Sequence, residues 1–353
     1  MILTVSSMKR QHLLPILPIL VGRYFLLFVV VFSPMMVLSG DITEQLQGSV
    51  SSSRQKSREK ADTLLRIAEQ QYASGFANKA VTSALEALEV YHAIGDVQGQ
   101  GLTYDLLAKC YIGLNRLKEG EDALRRGLAI GRDTNDLEGQ VFSLNNMGTL
   151  LVQKGEPMAA GKTIEEALKI ASHIKSIEGQ GLSYGNLGLV ALRLGDYNKA
   201  IKLLETALIF RRQAGDIIGE ANTLNNLGDA YLEAKSYQNT IGTYGAALRL
   251  AQISGDRTNE LRAIDGLVLA HSAVGRYQRA FDLLERRLII SQELGNMGEE
   301  LNSFESYAHL YEQLGNYQTA RNFYERAIVL ARTTRDGKRE VQLIDQLTQM
   351  LKR

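Results

Sequence analysis

The sequence predicts an all-α solenoid of stacked helix-turn-helix units. Three observations predict it: a repeat every forty residues, apolar columns at helical spacing inside each repeat, and turn-forming residues between the helices. Cut at residues 61, 101, 141, 181, 221, 261 and 301, the chain falls into seven blocks without insertion or deletion, ending at residue 340. The fourth position of the blocks reads Leu64, Tyr104, Leu144, Tyr184, Leu224, Ile264 and Phe304. The seventh reads Ile67, Leu107, Met147, Leu187, Leu227, Leu267 and Tyr307. With position eleven these share one face at a 3.6-residue period, which defines a first helix.

Composition excludes several classes. The 353 residues carry 40 Lys+Arg against 39 Asp+Glu, so there is no electrostatic footprint for nucleic acid. A single cysteine excludes an intrachain disulfide framework and a cysteine-only metal site. Four prolines and 45% hydrophobic residues argue against a disordered chain.

Residues 1–39 form a separate object. Lys9, Arg10 and Arg23 precede an apolar run from Tyr24 to Leu38. A basic region, an apolar run and then a small residue is the layout of a secretory signal, with Val37-Leu38-Ser39 as the cleavage site. Counted from Leu13, the run is also long enough for a retained membrane anchor, which would touch the membrane through residues 13–38. Basic residues before the run place the rest of the chain outside the cytoplasm in both readings. A cytoplasmic protein with an apolar N-terminal helix is the alternative. Residues 40–58 are polar and rich in Ser, Gln and Gly, and read as a linker.

Within residues 61–340 each block reads as a helix, a turn and a second helix. The turn falls at position fifteen, with Gly75, Gly155, Gly195, Gly275 and Gly315, and with Asn115, which tolerates left-handed geometry. Lys235 breaks the column and predicts an altered turn there. Ala80, Ala160, Ala200, Ala280 and Ala320 at position twenty let the paired helices approach closely. Links such as Gly215-Asp216 and Gly255-Asp256 end each pair. Residues 341–353 start an eighth block and read as a C-terminal capping helix, with Ile344, Leu347 and Leu351 covering the edge of the seventh repeat.

Three elements inside the blocks carry a family resemblance. Tyr197–Ala200, Tyr277–Ala280 and Tyr317–Ala320 form a Tyr-x-x-Ala element; Asn186-Leu187-Gly188 and Asn226-Leu227-Gly228 repeat one block apart; Gly215-Asp216 precedes Gly219-Glu220. This resembles the tetratricopeptide repeat, in the forty-residue subtype of kinesin light chains, Leu-Gly-Asn-repeat adaptors and many bacterial and cyanobacterial proteins. The resemblance implies a right-handed α-solenoid whose first helices line a concave groove for a protein or peptide segment. It also implies that groove asparagines bind ligand backbone, which points to Asn146, Asn186 and Asn226.

Positions 2, 5, 6, 9 and 13 of the first helices point away from the helix-pair core. They place Asn145, Asn146, Asn186, Asn222, Asn225 and Asn226 in one ladder. Amide side chains both donate and accept, which suits an extended peptide backbone; the same groups can also tie neighbouring helices together. Beside the ladder lies an apolar strip of Leu102, Leu106, Phe142, Leu182 and Leu189, and Arg193 is placed to meet a partner carboxylate. The five histidines have no His or Cys partner at short helical spacing, and no phosphate-binding or nucleophile motif is present. No catalytic residue, metal or cofactor is expected. The expected function is a noncatalytic scaffold that captures one partner segment and helps assemble a complex. The alternative is a sensor or regulatory module acting on a separate signalling partner.

Overall fold

The computed structural model describes residues 41–352, with side chains from residue 53 onward. Backbone contacts divide the chain into residues 1–51 and 52–353, and the second unit holds all of the repeats. The described residues form fifteen helices and no strand. The first eight are α1 (Asp41–Ala73), α2 (Ala77–Ile94), α3 (Val97–Gly113), α4 (Leu117–Asp133), α5 (Leu137–Gln153), α6 (Pro157–His173), α7 (Ile177–Arg193) and α8 (Tyr197–Ala214). The others are α9 (Ile217–Glu233), α10 (Tyr237–Ser254), α11 (Arg257–Ala273), α12 (Tyr277–Glu293), α13 (Met297–Gln313), α14 (Tyr317–Thr333) and α15 (Gly337–Leu351). From α2 onward each helix packs on the next, in an all-α helix-turn-helix solenoid.

The caps explain the forty-residue beat. Asp96, Asp136, Ser176, Asp216, Asp256, Asn296 and Asp336 precede the odd helices α3 to α15 and accept hydrogen bonds from first-turn backbone N–H groups. Such a cap contributes about 1 kcal/mol. The residue before each cap is left-handed: Gly95, Asn135, Lys175, Gly215, Gly255, Gly295 and Arg335 all have positive φ. So does position fifteen in all seven repeats, Lys235 included at φ 56°, beside Asn115 at 58°. The altered turn expected at Lys235 is therefore corrected: lysine takes the same geometry as glycine. A left-handed non-glycine residue costs roughly 1–2 kcal/mol, part of which glycine would return as chain entropy. Lys175→Gly and Lys235→Gly are each expected to raise stability by about 1 kcal/mol. Urea melts followed by circular dichroism check this, and an unchanged or lower midpoint for both would refute it.

Inside each pair, small and large residues alternate across the interface. A Cβ on Gly148 would lie 2.3 Å from Ile164, and one on Gly188 would lie 2.6 Å from Leu204. Tyr244 is wedged between two glycines, its ring 2.7 Å from a Cβ at Gly228 and 2.1 Å from one at Gly266. The large residue of the second helix fills the space that the first helix leaves empty.

Three expectations change. The polar stretch 40–58 is helical from Asp41, so it is not a linker; its Gln, Glu, Arg and Lys residues are good helix formers and no proline interrupts them. In α15, Leu343 and Met350 are buried, with Leu347 packed beside them. Ile344 and Leu351 are 38% and 56% exposed instead of covering the seventh repeat. They lie on the face that earlier odd helices turn toward their own paired helix. Finally, no helix among the described residues is long and apolar enough to cross a membrane. For the described residues this corrects the expected transmembrane helix, and the membrane contact and extracytoplasmic location built on it have no support there. The apolar stretch 13–38, and the signal peptide or anchor expected over 1–39, lie outside the described residues.

Candidate inner-face binding cleft

The odd helices form one wall. Consecutive odd helices touch directly from α3 through α5, α7 and α9 to α11, and consecutive even helices make no comparable contact. A small residue stands at position 27 of six of the seven repeats, on the even helices. Ala87, Gly127, Ala167, Ala207, Ala247 and Ala327 are all buried there. Arg287 is the exception, and it too is buried, at 2% exposure.

Arg287 stands between α11 and α13, where the series of odd-helix contacts stops. It uses all five N–H groups. Nε and Nη2 donate to the two carboxylate oxygens of Asp265 on α11. The remaining bonds reach the Glu299 carbonyl at 2.7 Å, Glu299 Oε2 at 2.8 Å and Ser303 Oγ at 2.7 Å, all on α13. A bulky cation thus replaces alanine, and the two helices are tied to it on either side.

A cleft of about 1080 Å³ opens over this point, lined by α9, α11, α13 and α15. Asn302, Ser306 and His309 of α13 occupy positions 2, 6 and 9 along it. Leu269 of α11 is 55% exposed and gives it an apolar side, and Tyr237 and Tyr277 stand at its edge. Arg339 of α15 pairs with Glu305 and donates to Asn302 Oδ1 at 3.3 Å. His309 Nδ1 lies 3.1 Å from the Tyr324 hydroxyl, and its Nε2 lies 3.7 Å from Glu305. Burial alone would raise the Glu305 pKa, but His309, Arg339 and Gln346 outweigh it and hold the carboxyl below its usual range. For Asp265 burial wins over Arg287, and its pKa is raised. The cleft thus offers amide, hydroxyl and imidazole groups in a row beside an apolar side.

The asparagine ladder is differently disposed. Asn145 and Asn225 are fully buried, and Leu106 is 7% exposed, so these three expected contacts are corrected. Position 5 faces the next odd helix rather than the groove. Asn145 donates to Ser183 Oγ at 2.9 Å, Asn225 donates to Asn259 Oδ1 at 3.0 Å, and Asp105 accepts from Ser143 Oγ at 2.9 Å. They belong to a polar seam between repeats. Asn186 donates to Asn145 Oδ1 at 3.1 Å and reinforces that seam. Asn222 and Asn226 accept from Arg262 at 3.1 and 2.6 Å, and Asp229 pairs with the same guanidinium. Asn146 and Leu182 are half-buried; Arg193 is exposed, as are Phe142, at 38%, and Leu102, at 57%. The structure therefore leaves an open apolar strip near α3 to α7 and has its deeper cleft at α9–α15. The sequence signal for the cleft was Arg287 itself, a charge inside a column of Ala and Gly.

Among the described residues no group of three or more His, Cys, Asp or Glu side chains is placed to hold a metal ion. Cys110 is buried, and burial, against a smaller opposing effect of Lys109, pushes its thiol up to about 11, far from the range of a nucleophilic thiolate.

Tetratricopeptide-repeat profiles match residues 140–213, 219–293 and 301–334, which together span just over half of the chain. The chain belongs to the tetratricopeptide repeat superfamily. No curated protein matches it. Solved structures resemble it in fold. One is a signal transduction ATPase with numerous domains from Pyrococcus horikoshii, which carries a tetratricopeptide repeat sensor, at TM-score 0.58 and 18% identity. That match covers 81% of this chain and 44% of the ATPase, so this chain spans less than half of its length. The apo form of RapI matches at TM-score 0.59 and 15% identity, over 79% of this chain and all of RapI. A Rap protein complexed with competence and sporulation factor matches at 0.57 and 14% identity, over 88% of this chain and 80% of its own.

Proposed function

We propose that the chain is a noncatalytic peptide-sensing module that regulates a separate signalling partner, with a polypeptide segment captured in the α9–α15 cleft. The observation that carries this reading is the cleft over Arg287, which joins three repeats and the C-terminal helix through one open surface. A ligand seated there touches several helices at once, so its binding favours one spacing of the repeats over others. The sensor of the Pyrococcus ATPase and the complexed Rap protein supply the analogy, at the level of fold. The forty-residue spacing also keeps the resemblance to the kinesin light chain subtype.

Selection of a random displayed peptide library against the full chain, followed by hydrogen-exchange mapping of the selected peptides, tests the reading. Selected peptides are expected to protect α11 and α13. Leu269→Asp and Ser306→Arg are each expected to weaken binding by about tenfold or more without changing helical content. Peptides that survive both substitutions, or that protect only even helices, would remove the cleft from the proposal.

A further inference from the structure

A second cavity lies on the opposite side, between α2 and α4 above α3. It measures about 410 Å³ and is walled by Leu85, Leu88, Tyr104, Leu107, Tyr111 and Arg126. Its counterpart in repeat seven, five forty-residue steps along, is filled by the chain itself. There Phe323 stacks on Tyr307, with ring centroids 4.8 Å apart and planes at 11°, and on Tyr311 at 5.6 Å and 10°. Arg326 lies over both Phe304 and Phe323, at 5.8 and 5.6 Å from the ring centroids.

The two walls correspond at four positions. Tyr104 matches Phe304, Tyr111 matches Tyr311, Leu88 matches Leu288 and Arg126 matches Arg326. Arg126 lies over Tyr104 at 5.9 Å, as Arg326 lies over Phe304. The residue at the position of Phe323 is Ala123. Repeat two therefore keeps Tyr104, Tyr111 and the guanidinium, has Leu107 in the place of Tyr307, and lacks the ring that these groups enclose in repeat seven. Leu85 is 45% exposed at the mouth, and Arg126, whose Nε donates to Asp122 at 2.8 Å, keeps a 57% exposed side chain.

We propose that this slot is a docking site for an aromatic side chain of a partner polypeptide, which takes the place that Phe323 takes in repeat seven. Charge complementarity supports an aromatic over an aliphatic occupant. The cation of Arg126 complements the negative face of a second ring, as Arg326 does for Phe323. Leu107 and Tyr111 supply the flat apolar wall. The site is separate from the inner cleft, and its test does not depend on that reading.

The experiment is a titration of the full chain, methyl-labelled at leucine, with N-acetyl-phenylalaninamide and with N-acetyl-leucinamide. The aromatic amide is expected to shift the Leu85, Leu88 and Leu107 methyl resonances and to bind about fivefold more tightly than the aliphatic one. Ala123→Phe is expected to abolish these shifts by filling the slot from within. Arg126→Ala is expected to weaken the aromatic amide about threefold and leave the aliphatic one unchanged. If Ala123→Phe misfolds, the Arg126→Ala comparison decides. Equal binding of the two amides, shifts confined to Leu269 in the inner cleft, or no shift at the slot each overturn the proposal.

Discussion

Arg287→Ala is expected to destabilise the chain by about 3 kcal/mol, although alanine is the ordinary residue at that position. The substitution removes a buried cation and leaves the carboxylates of Asp265 and Glu299 facing each other across the gap. Loss of one partner from a buried pair costs roughly 3–5 kcal/mol. The lower end applies here, because the two carboxylates keep 40% and 32% of their side-chain surface in water. Restoring the pattern of the neighbouring repeat should recover most of the loss. Repeat five has Ala247 opposite Asn225, so Arg287→Ala with Asp265→Asn is expected to return to within about 1–2 kcal/mol of the parent. Urea titration by circular dichroism, with hydrogen exchange resolved by repeat, measures both. If Arg287→Ala alone melts like the parent, the guanidinium does not hold α11 and α13 together. If the double substitution falls as far as the single one, bulk rather than charge is what the position needs.

Tyr244→Ala is expected to cost about 4 kcal/mol, as for other large-to-alanine changes in a packed interior. The ring fills a slot made by Gly228 and Gly266, and its hydroxyl donates to Asp229. The same geometry predicts a reversal of sign. In the parent, Gly228→Ala sets a methyl 2.7 Å from the ring and is expected to destabilise by about 1–3 kcal/mol. In the Tyr244→Ala background the ring is gone, and the same substitution is expected to stabilise by up to about 1 kcal/mol through helix propensity. An unchanged sign in the two backgrounds would show that the glycine serves some other purpose than making room for Tyr244. Each repeat touches mainly its neighbours, so the loss should concentrate in α9 to α11 and fade toward both ends.

The fold was legible because the period is strict. Apolar positions 4 and 7, the small residue at position 20 and the glycines at position 15 name the helices and the turns without a structure. The second left-handed position was harder to read. Asn135, Lys175 and Arg335 stand there in place of glycine, and only the cap after each one reveals it. The binding face was legible in part. A 3.6-residue period places position 5 near the groove, and what buries Asn145 and Asn225 is the next repeat, a contact between residues nearly forty apart. The cleft was missed for a related reason. Its cause is one substitution, Arg287, that a search for shared columns passes over, and its partners Asp265 and Glu299 lie on two other helices. The extension of α1 back to Asp41 was hidden by serines and Gly48, residues that read locally as spacer.

The contact of odd helices with one another, while even helices stay apart, makes the inner wall behave as the hinge line of a fan. When the array flexes, distances along the hinge change little and those between the outer ribs change most. On the function proposed above, a peptide seated at α11 and α13, where Arg287 interrupts that line, would change the spacing of the outer ribs and so present its binding on the far side of the fan.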